Sequence, residues 1–200
     1  GGNYGGIGGR AFDESPMLNP DPPYGSLRNP VNLGSGGGYH AGGGAIIISA
    51  SGTVTVNGTL SANGKDATGH REGAGAGGTI NITAANLAGT TGTVRVNGGS
   101  STGQSWSASG SGGRIAVKLT SGTSFDSVAF QAFTQTGSGT EGAAGTVYLE
   151  DFGDGAGKGE LIIHNNNVAT GAGIDTLISS SVTGTSVGII TLTANQAGKL

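Results

Sequence analysis

The chain has 200 residues, 44 of them glycine, with no cysteine, 10% charged residues and a formal net charge of −3. That excludes disulfides and cysteine-based metal sites. The nine lysines and arginines are scattered, without the basic stripe that nucleic acid binding needs. No apolar run approaches the roughly 18 residues of a membrane span, and glycine does not recur at every third position as collagen requires.

Two hundred residues suit one domain or one elongated piece of a longer chain. The opening Gly1-Gly2-Asn3-Tyr4 has no basic head or apolar stretch of a signal peptide, and a start without Met reads as a trimmed segment. Residues 1 to about 42 hold the prolines, in phrases such as Asn19-Pro20-Asp21-Pro22-Pro23 and Asn29-Pro30. Proline lacks the donor that a central strand needs, so an irregular, ordered loop or a cap over the first repeat is predicted here. Gly34-Ser35-Gly36-Gly37-Gly38 then leads into the repeats.

Residues 43–164 carry one phrase four times, a small pair followed by alternating apolar positions. The copies are Gly43-Gly44-Ala45-Ile46-Ile47-Ile48, Gly77-Gly78-Thr79-Ile80-Asn81-Ile82, Gly112-Gly113-Arg114-Ile115-Ala116-Val117 and Ala144-Gly145-Thr146-Val147-Tyr148-Leu149. Their marker glycines, 44, 78, 113 and 145, are separated by steps of 34, 35 and 32 residues. A fixed period of this size is the signature of stacked repeats. Within the first copy Ile46, Ile48 and Ala50, then Val54 and Val56, then Leu60 and Ala62 alternate at the strand period, with Asn57-Gly58 and Asn63-Gly64 as corners. The later copies give Ile80, Ile82 and Ala84 with Leu87, Val94 and Val96, then Ile115, Val117 and Leu119 with Val128, Phe130 and Ala132. The fourth gives Val147 and Leu149 with Leu161 and Ile163.

Three short strands and a loop per copy predict an all-β fold: a right-handed parallel β-helix, or β-solenoid, with rungs of about 34 residues. A β-sandwich is the alternative, but hairpin-paired strands do not need a near-constant 34-residue register. Asn63 and Asn97 share one offset from their markers, which predicts a corner ladder of asparagines along the axis. Residues 165–200 lose the marker and read as degenerate rungs or the start of a following module, with strand-like runs at Thr176-Leu177-Ile178 and Val187–Thr193.

Tyr24-Gly25-Ser26, Pro30, Gly34-Ser35-Gly36-Gly37-Gly38, the marker phrases and Ala62-Asn63-Gly64 together resemble the glycine-rich parallel β-helix repeat region of large bacterial surface and secreted proteins. The resemblance covers roughly residues 24 to 165. It implies a bacterial extracellular or cell-surface setting and a role as a stalk, an adhesin segment or a module beside carbohydrate-active domains. It carries over no catalytic residue.

Insertions at one offset of a solenoid project from one side. The long loops at about 64–76, 98–111 and 134–143 all follow the third strand and are expected to lie together. They offer His70, Arg71, Glu72, Gln104, Trp106 and Glu141 as candidate glycan contacts: a flat indole for a sugar face, with neighbours to donate and accept hydrogen bonds. The cluster Glu150-Asp151-Phe152-Gly153-Asp154 is the candidate calcium site, through Glu150, Asp151 and Asp154, though it lacks the spacing of an EF-hand loop. No other cofactor is expected. His40, His70 and His164 have no metal-ligand spacing and read as surface or corner residues.

The sequence therefore points to an extracellular structural or adhesive solenoid module with a glycan-binding loop face. Its open ends are expected to pair head to tail into a fibre. The alternative is a fragment of a polysaccharide-degrading lyase or hydrolase.

Overall fold

The computed structural model describes residues 1–10, 21–103, 105–171, 174 and 176, and the strand 189–192. Among these residues there is no helix. The first coil comprises β1 (Ala45–Ser49), β2 (Thr53–Thr55) and β3 (Thr59–Ser61). The second comprises β4 (Thr79–Ala84), β5 (Asn86–Ala88) and β6 (Thr93–Arg95). The third has β7 (Arg114–Leu119) and β8 (Ala129–Gln131), and β9 (Thr146–Glu150) opens a fourth. β10 (Glu160–Ile163) and β11 (Ile189–Leu192) follow.

The marker-bearing strands β1, β4, β7 and β9 pair in parallel, in the order of the sequence. Parallel pairing at a constant repeat makes this a β-solenoid and excludes the hairpin-paired sandwich. The register aligns Ile46, Ile80, Ile115 and Val147 in one column and Ile48, Ile82, Val117 and Leu149 in the next. Val54 aligns with Leu87, and Leu60 with Val94 and Phe130. Ile80, Ile82, Ile115, Val117 and Val94 are fully buried in one apolar core inside the coil. Each such side chain contributes about 1.5–3 kcal/mol by leaving water.

The marker glycines touch one another along the axis. A Cβ at Gly78 would lie 2.0 Å from the Gly44 carbonyl oxygen, and one at Gly145 would lie 1.9 Å from that of Gly113. Only glycine lets successive backbones approach this closely, which is the steric origin of the repeated phrase.

The corner ladder forms between side chain and backbone. Asn63 Oδ1 accepts from the Asn97 N–H at 2.8 Å, and Asn97 Oδ1 accepts from the Phe133 N–H at 2.9 Å. The Asn97 amide also donates to Gln131 Oε1 at 3.3 Å. Each asparagine thus satisfies a turn donor one coil away that no ladder partner reaches.

Two segments depart from the sequence reading. Leu161 and Ile163 do not form a further side of a fourth coil. They lie on β10, which returns antiparallel to β9 through the turn 151–158 and is followed by β11 in parallel. The turn is built by Gly155 and Gly157 at positive φ and by Asp151 and Asp154, whose carboxylates accept backbone N–H groups. Of the tail runs, Leu177, Ile178, Val187, Gly188 and Thr193 lie outside the described residues.

The N-terminal region is an irregular strap along the stack. Residues 1–10 cross three coils by backbone bonds: Gly2 N–H to Ala74 O, Gly5 N–H to Gly112 O, and Ala143 N–H to Ile7 O. Residues 21–35 then run back over the outward face of β7 and β4. Arg114 Nε donates to Tyr24 O at 3.0 Å, Asn81 Nδ2 to Pro30 O at 3.1 Å, and Thr79 Oγ1 to Asn32 O at 2.8 Å. The central strands are consequently buried on both faces, including the outward Thr79, Ala116, Thr146 and Tyr148.

Arg114 clamps the strap. It is 2% exposed, its Nη1 donates to Thr146 Oγ1 at 3.1 Å, and its guanidinium lies 5.5 Å from the Tyr4 ring centroid. Burial pulls its pKa down to about 10, so it stays charged at neutral pH. We expect Arg114→Ala to destabilise the fold by about 2–4 kcal/mol in urea unfolding, because it strips donors from buried acceptors. Lys118→Ala, on the same strand but reaching the exposed Asn29 side chain, should stay within about 0.5 kcal/mol. Asn97→Ala should cost about 1–3 kcal/mol by leaving the Phe133 N–H without its acceptor, measured in the same way.

Candidate functional site

The long glycine-rich loops do not project as whole insertions. Their limbs fold flat and continue the stack without side-chain packing. A run of backbone bonds passes from limb to limb: Lys65 N–H to Ala41 O, Gly75 N–H to Lys65 O, Gly99 N–H to Gly75 O, and Gly110 N–H to Gly99 O, all at 2.9–3.0 Å. A Cβ at Gly110 would sit 1.9 Å from Gly75 O, so glycine is required for this backbone-on-backbone layer. Ala74, Ala76, Ala108, Ser101, Ser107, Ser109 and Ser111 are buried within it.

At the exposed loop tips three of the expected residues, His70, Arg71 and Trp106, come together across coils. Trp106 lies one 35-residue step beyond Arg71, in the register that also bridges Gly73 to Ala108. The Arg71 N–H donates to Ser105 O at 3.1 Å. The Arg71 guanidinium stands 5.0 Å from the Trp106 ring centroid, and the His70 ring 6.2 Å from it. His70 and Arg71 are exposed, and Trp106 is 43% exposed. Both tip residues adopt left-handed backbone, Arg71 at φ 59° and Trp106 at φ 63°. For bulky side chains this conformation costs roughly 1–3 kcal/mol each, and it is sustained here by the flat limbs on either side. The stack of cation on indole returns about 0.5–1 kcal/mol at an exposed site.

Glu72 turns the other way. Its Oε2 binds His40 Nε2 at 2.6 Å and accepts from the N–H groups of Gly69 and Thr68 at 2.7 and 3.3 Å. His40, read from the sequence as a surface or corner residue, is 6% exposed, and its Nδ1 is buried with no hydrogen-bond partner. Ser107 completes the tip by donating to Gly69 O at 2.8 Å and accepting from the Glu72 N–H at 3.0 Å. Sequence reasoning missed the roles of His40 and Ser107. The 32- and 35-residue spacings to Glu72 were the available signal, since stacked positions differ by one repeat.

The remaining candidates separate. Glu141 lies one coil further along, where its carbonyl accepts from Gly171 N–H, and it joins none of these side-chain contacts. Gln104 lies outside the described residues. Glu150 accepts from the Tyr148 hydroxyl at 2.5 Å and from Gly157 N–H at 2.8 Å. With Asp151 and Asp154 occupied by the turn, the carboxylates proposed for calcium are each engaged by the hairpin. Among the described residues no three His, Asp or Glu side chains converge as a metal-holding group. Among the same residues no helix is long and apolar enough to cross a membrane. The chain matches no family model, no curated protein and no solved structure.

The Glu72–His40 bond, reinforced by two backbone donors, holds the Glu72 carboxyl below its ordinary value of 4.5. A depressed folded pKa gives stability that is present above the unfolded value and lost as pH falls through the folded one. Wild type should therefore melt above Glu72→Gln at pH 5–7, and the gap should close as the pH is lowered below 4.5, through the depressed folded pKa, followed by thermal unfolding monitored with circular dichroism.

Proposed function

We propose that this chain is a rigid extracellular module of the bacterial surface type, a β-solenoid spacer that presents a small glycan-contacting face at its loop tips. The observation that carries the reading is the Arg71–Trp106 stack. Two bulky residues are held in left-handed backbone, at equivalent tips of successive coils, with Trp106 43% exposed. An exposed Trp offers a flat apolar surface to the C–H face of a sugar ring, while Arg71 and His70 supply donors to its hydroxyl or carboxylate oxygens. The two flat limbs fix both tips, so little ordering entropy remains to be lost on binding. A solenoid adds reach, because each further coil repeats the same backbone pairing along one axis.

A degrading enzyme would need free acid and base groups in a groove, two carboxyls within about 5–10 Å for hydrolysis. Glu72 is committed to His40 and two amides, and the Glu150, Asp151 and Asp154 carboxylates hold the hairpin. These four carboxylates are thus engaged in holding the chain, which favours the binding module.

Titration calorimetry against neutral and uronate-containing polysaccharides tests this. Wild type should bind at least one of them, and Trp106→Ala should weaken that binding at least tenfold with the melting temperature retained. Absence of binding to either class, equal binding by Trp106→Ala, or turnover of the polysaccharide would overturn the proposal.

A further inference from the structure

Among the described residues no strand pairs with the outer edge of the first coil. β1, β2 and β3 are the outermost strands of their three sheets. Ile48, Val54, Val56 and Leu60 line a hollow of about 240 Å³ among the inward side chains of this coil. Exposed apolar side chains gather at the same end. Ile47, outward on β1, is 57% exposed, and Tyr39 is 88% exposed. Val31 and Leu33 are also exposed, and they flank Asn32, whose carbonyl is bound by Thr79, the register partner of Ala45 on β1.

Strand edges that face water are usually protected by lysine, proline or a bulge. From Ala41 to Gly64 the chain has no charged residue and no proline, and β1–β3 pair with β4–β6 without interruption. The glycines give a second, independent indication. A Cβ at Gly44, Gly52 or Gly58 would meet nothing within 4 Å, yet the later markers Gly78, Gly113 and Gly145 are each crowded by the preceding coil. At the end coil, glycine stands where no described backbone excludes a side chain.

We infer that the first coil is a homodimer interface, closed by a second copy of this chain stacked head to head about a two-fold axis. The two ends of the molecule favour this over the head-to-tail fibre anticipated from the sequence. The head is flush, since β1, β2 and β3 belong to one coil. Among the described residues the opposite end is uneven: the three sheets hold six, two and three strands, and the largest runs on past β9 through antiparallel β10 and then β11. A head-to-tail copy would meet a step, whereas a two-fold brings two flush surfaces together and uses the same patch twice.

The symmetry suits the strands. A two-fold through Ile47 pairs β1 antiparallel with its copy, so Ile46 meets Ile48 of the second copy. The same operation lays β2 over the β3 of the second copy. Each is three residues long with one half-buried central residue, Val54 and Leu60. Like-charge repulsion is absent because the coil carries no charge.

Because the chain has no cysteine, Ile47→Cys introduces a single thiol on the axis. Residues directly opposite in an antiparallel pair have Cα atoms about 4.5–5.5 Å apart, within disulfide reach. The purified chain should elute at twice the 19.2 kDa chain mass in light scattering coupled to size exclusion. Ile47→Cys should convert to a covalent dimer under mild oxidation. Ile47→Lys, at an exposed position, should run at the monomer mass with its melting profile intact, while Trp106→Ala should remain dimeric. A monomeric wild type, assemblies that grow beyond two copies with concentration, or a dimer that Ile47→Lys leaves unchanged with Ile47→Cys uncrosslinked would each overturn the inference.

Discussion

Each coil of this chain can bury its inward side chains only against the coils above and below it. The Ile46–Ile80–Ile115–Val147 column exists because every strand bearing these residues pairs in register with the next, and no coil has a core of its own. A slip of one residue would turn the whole column to the outside. The fixed repeat length is therefore a packing requirement. The marker glycines enforce it from the backbone side, since each sits against the carbonyl of the marker before it and cannot shift without a clash.

The same constraint explains how so glycine-rich a chain folds. Side-chain burial serves the strand layer. The loop limbs and the first nine residues form a second layer in which backbone packs on backbone, with hydrogen bonds and close contact replacing apolar side chains. The strap of residues 21–35 covers the outward face of β4 and β7, where Thr79, Asn81 and Arg114 give up water for partners on the strap. Charged residues are scarce, and several of those present hold backbone in place: Arg114 under the strap, Glu72 beneath a loop tip, Asp151 and Asp154 in the hairpin.

The strand layer was legible in the sequence because it is a side-chain phenomenon with a period. Alternation placed Ile80, Val94 and Ile115 inward, and the marker offsets placed the coils in register. The strap was illegible because its contacts are largely those of glycine and carbonyl groups, which leave no pattern. Arg114 occupies an outward position of a marker phrase and reads as a surface residue until residues 21–35 are seen to cover it. The β9–β10 hairpin was hidden because parallel and antiparallel strands share the same two-residue period, so Leu161 and Ile163 could be assigned to a strand but not to a direction. At the loop tips, the common offset of the loops anticipated that His70, Arg71 and Trp106 would meet. It did not anticipate that Glu72 would turn inward, because His40, although one repeat earlier, sits in a segment without strand pattern.

The loop tips and the first coil differ in how they relate to the stack. At the tips the stack holds Arg71 and Trp106 in a backbone conformation that their side chains disfavour, and it can do so because the limbs on both sides are tied to neighbouring coils. The strain is local, and the surrounding hydrogen bonds over-determine it. At the first coil the reverse holds: regular strands, small residues and relaxed glycines meet water on one side. Ile46 and Ile48 remain half-buried there, while Ile80 and Ile82, one coil further in, are completely enclosed. The difference between these two pairs is the presence of one more coil. The apolar surface that a neighbouring layer would remove from water at the head is thus of the same kind, on the same strand positions, as the surface that already holds the second coil to the third.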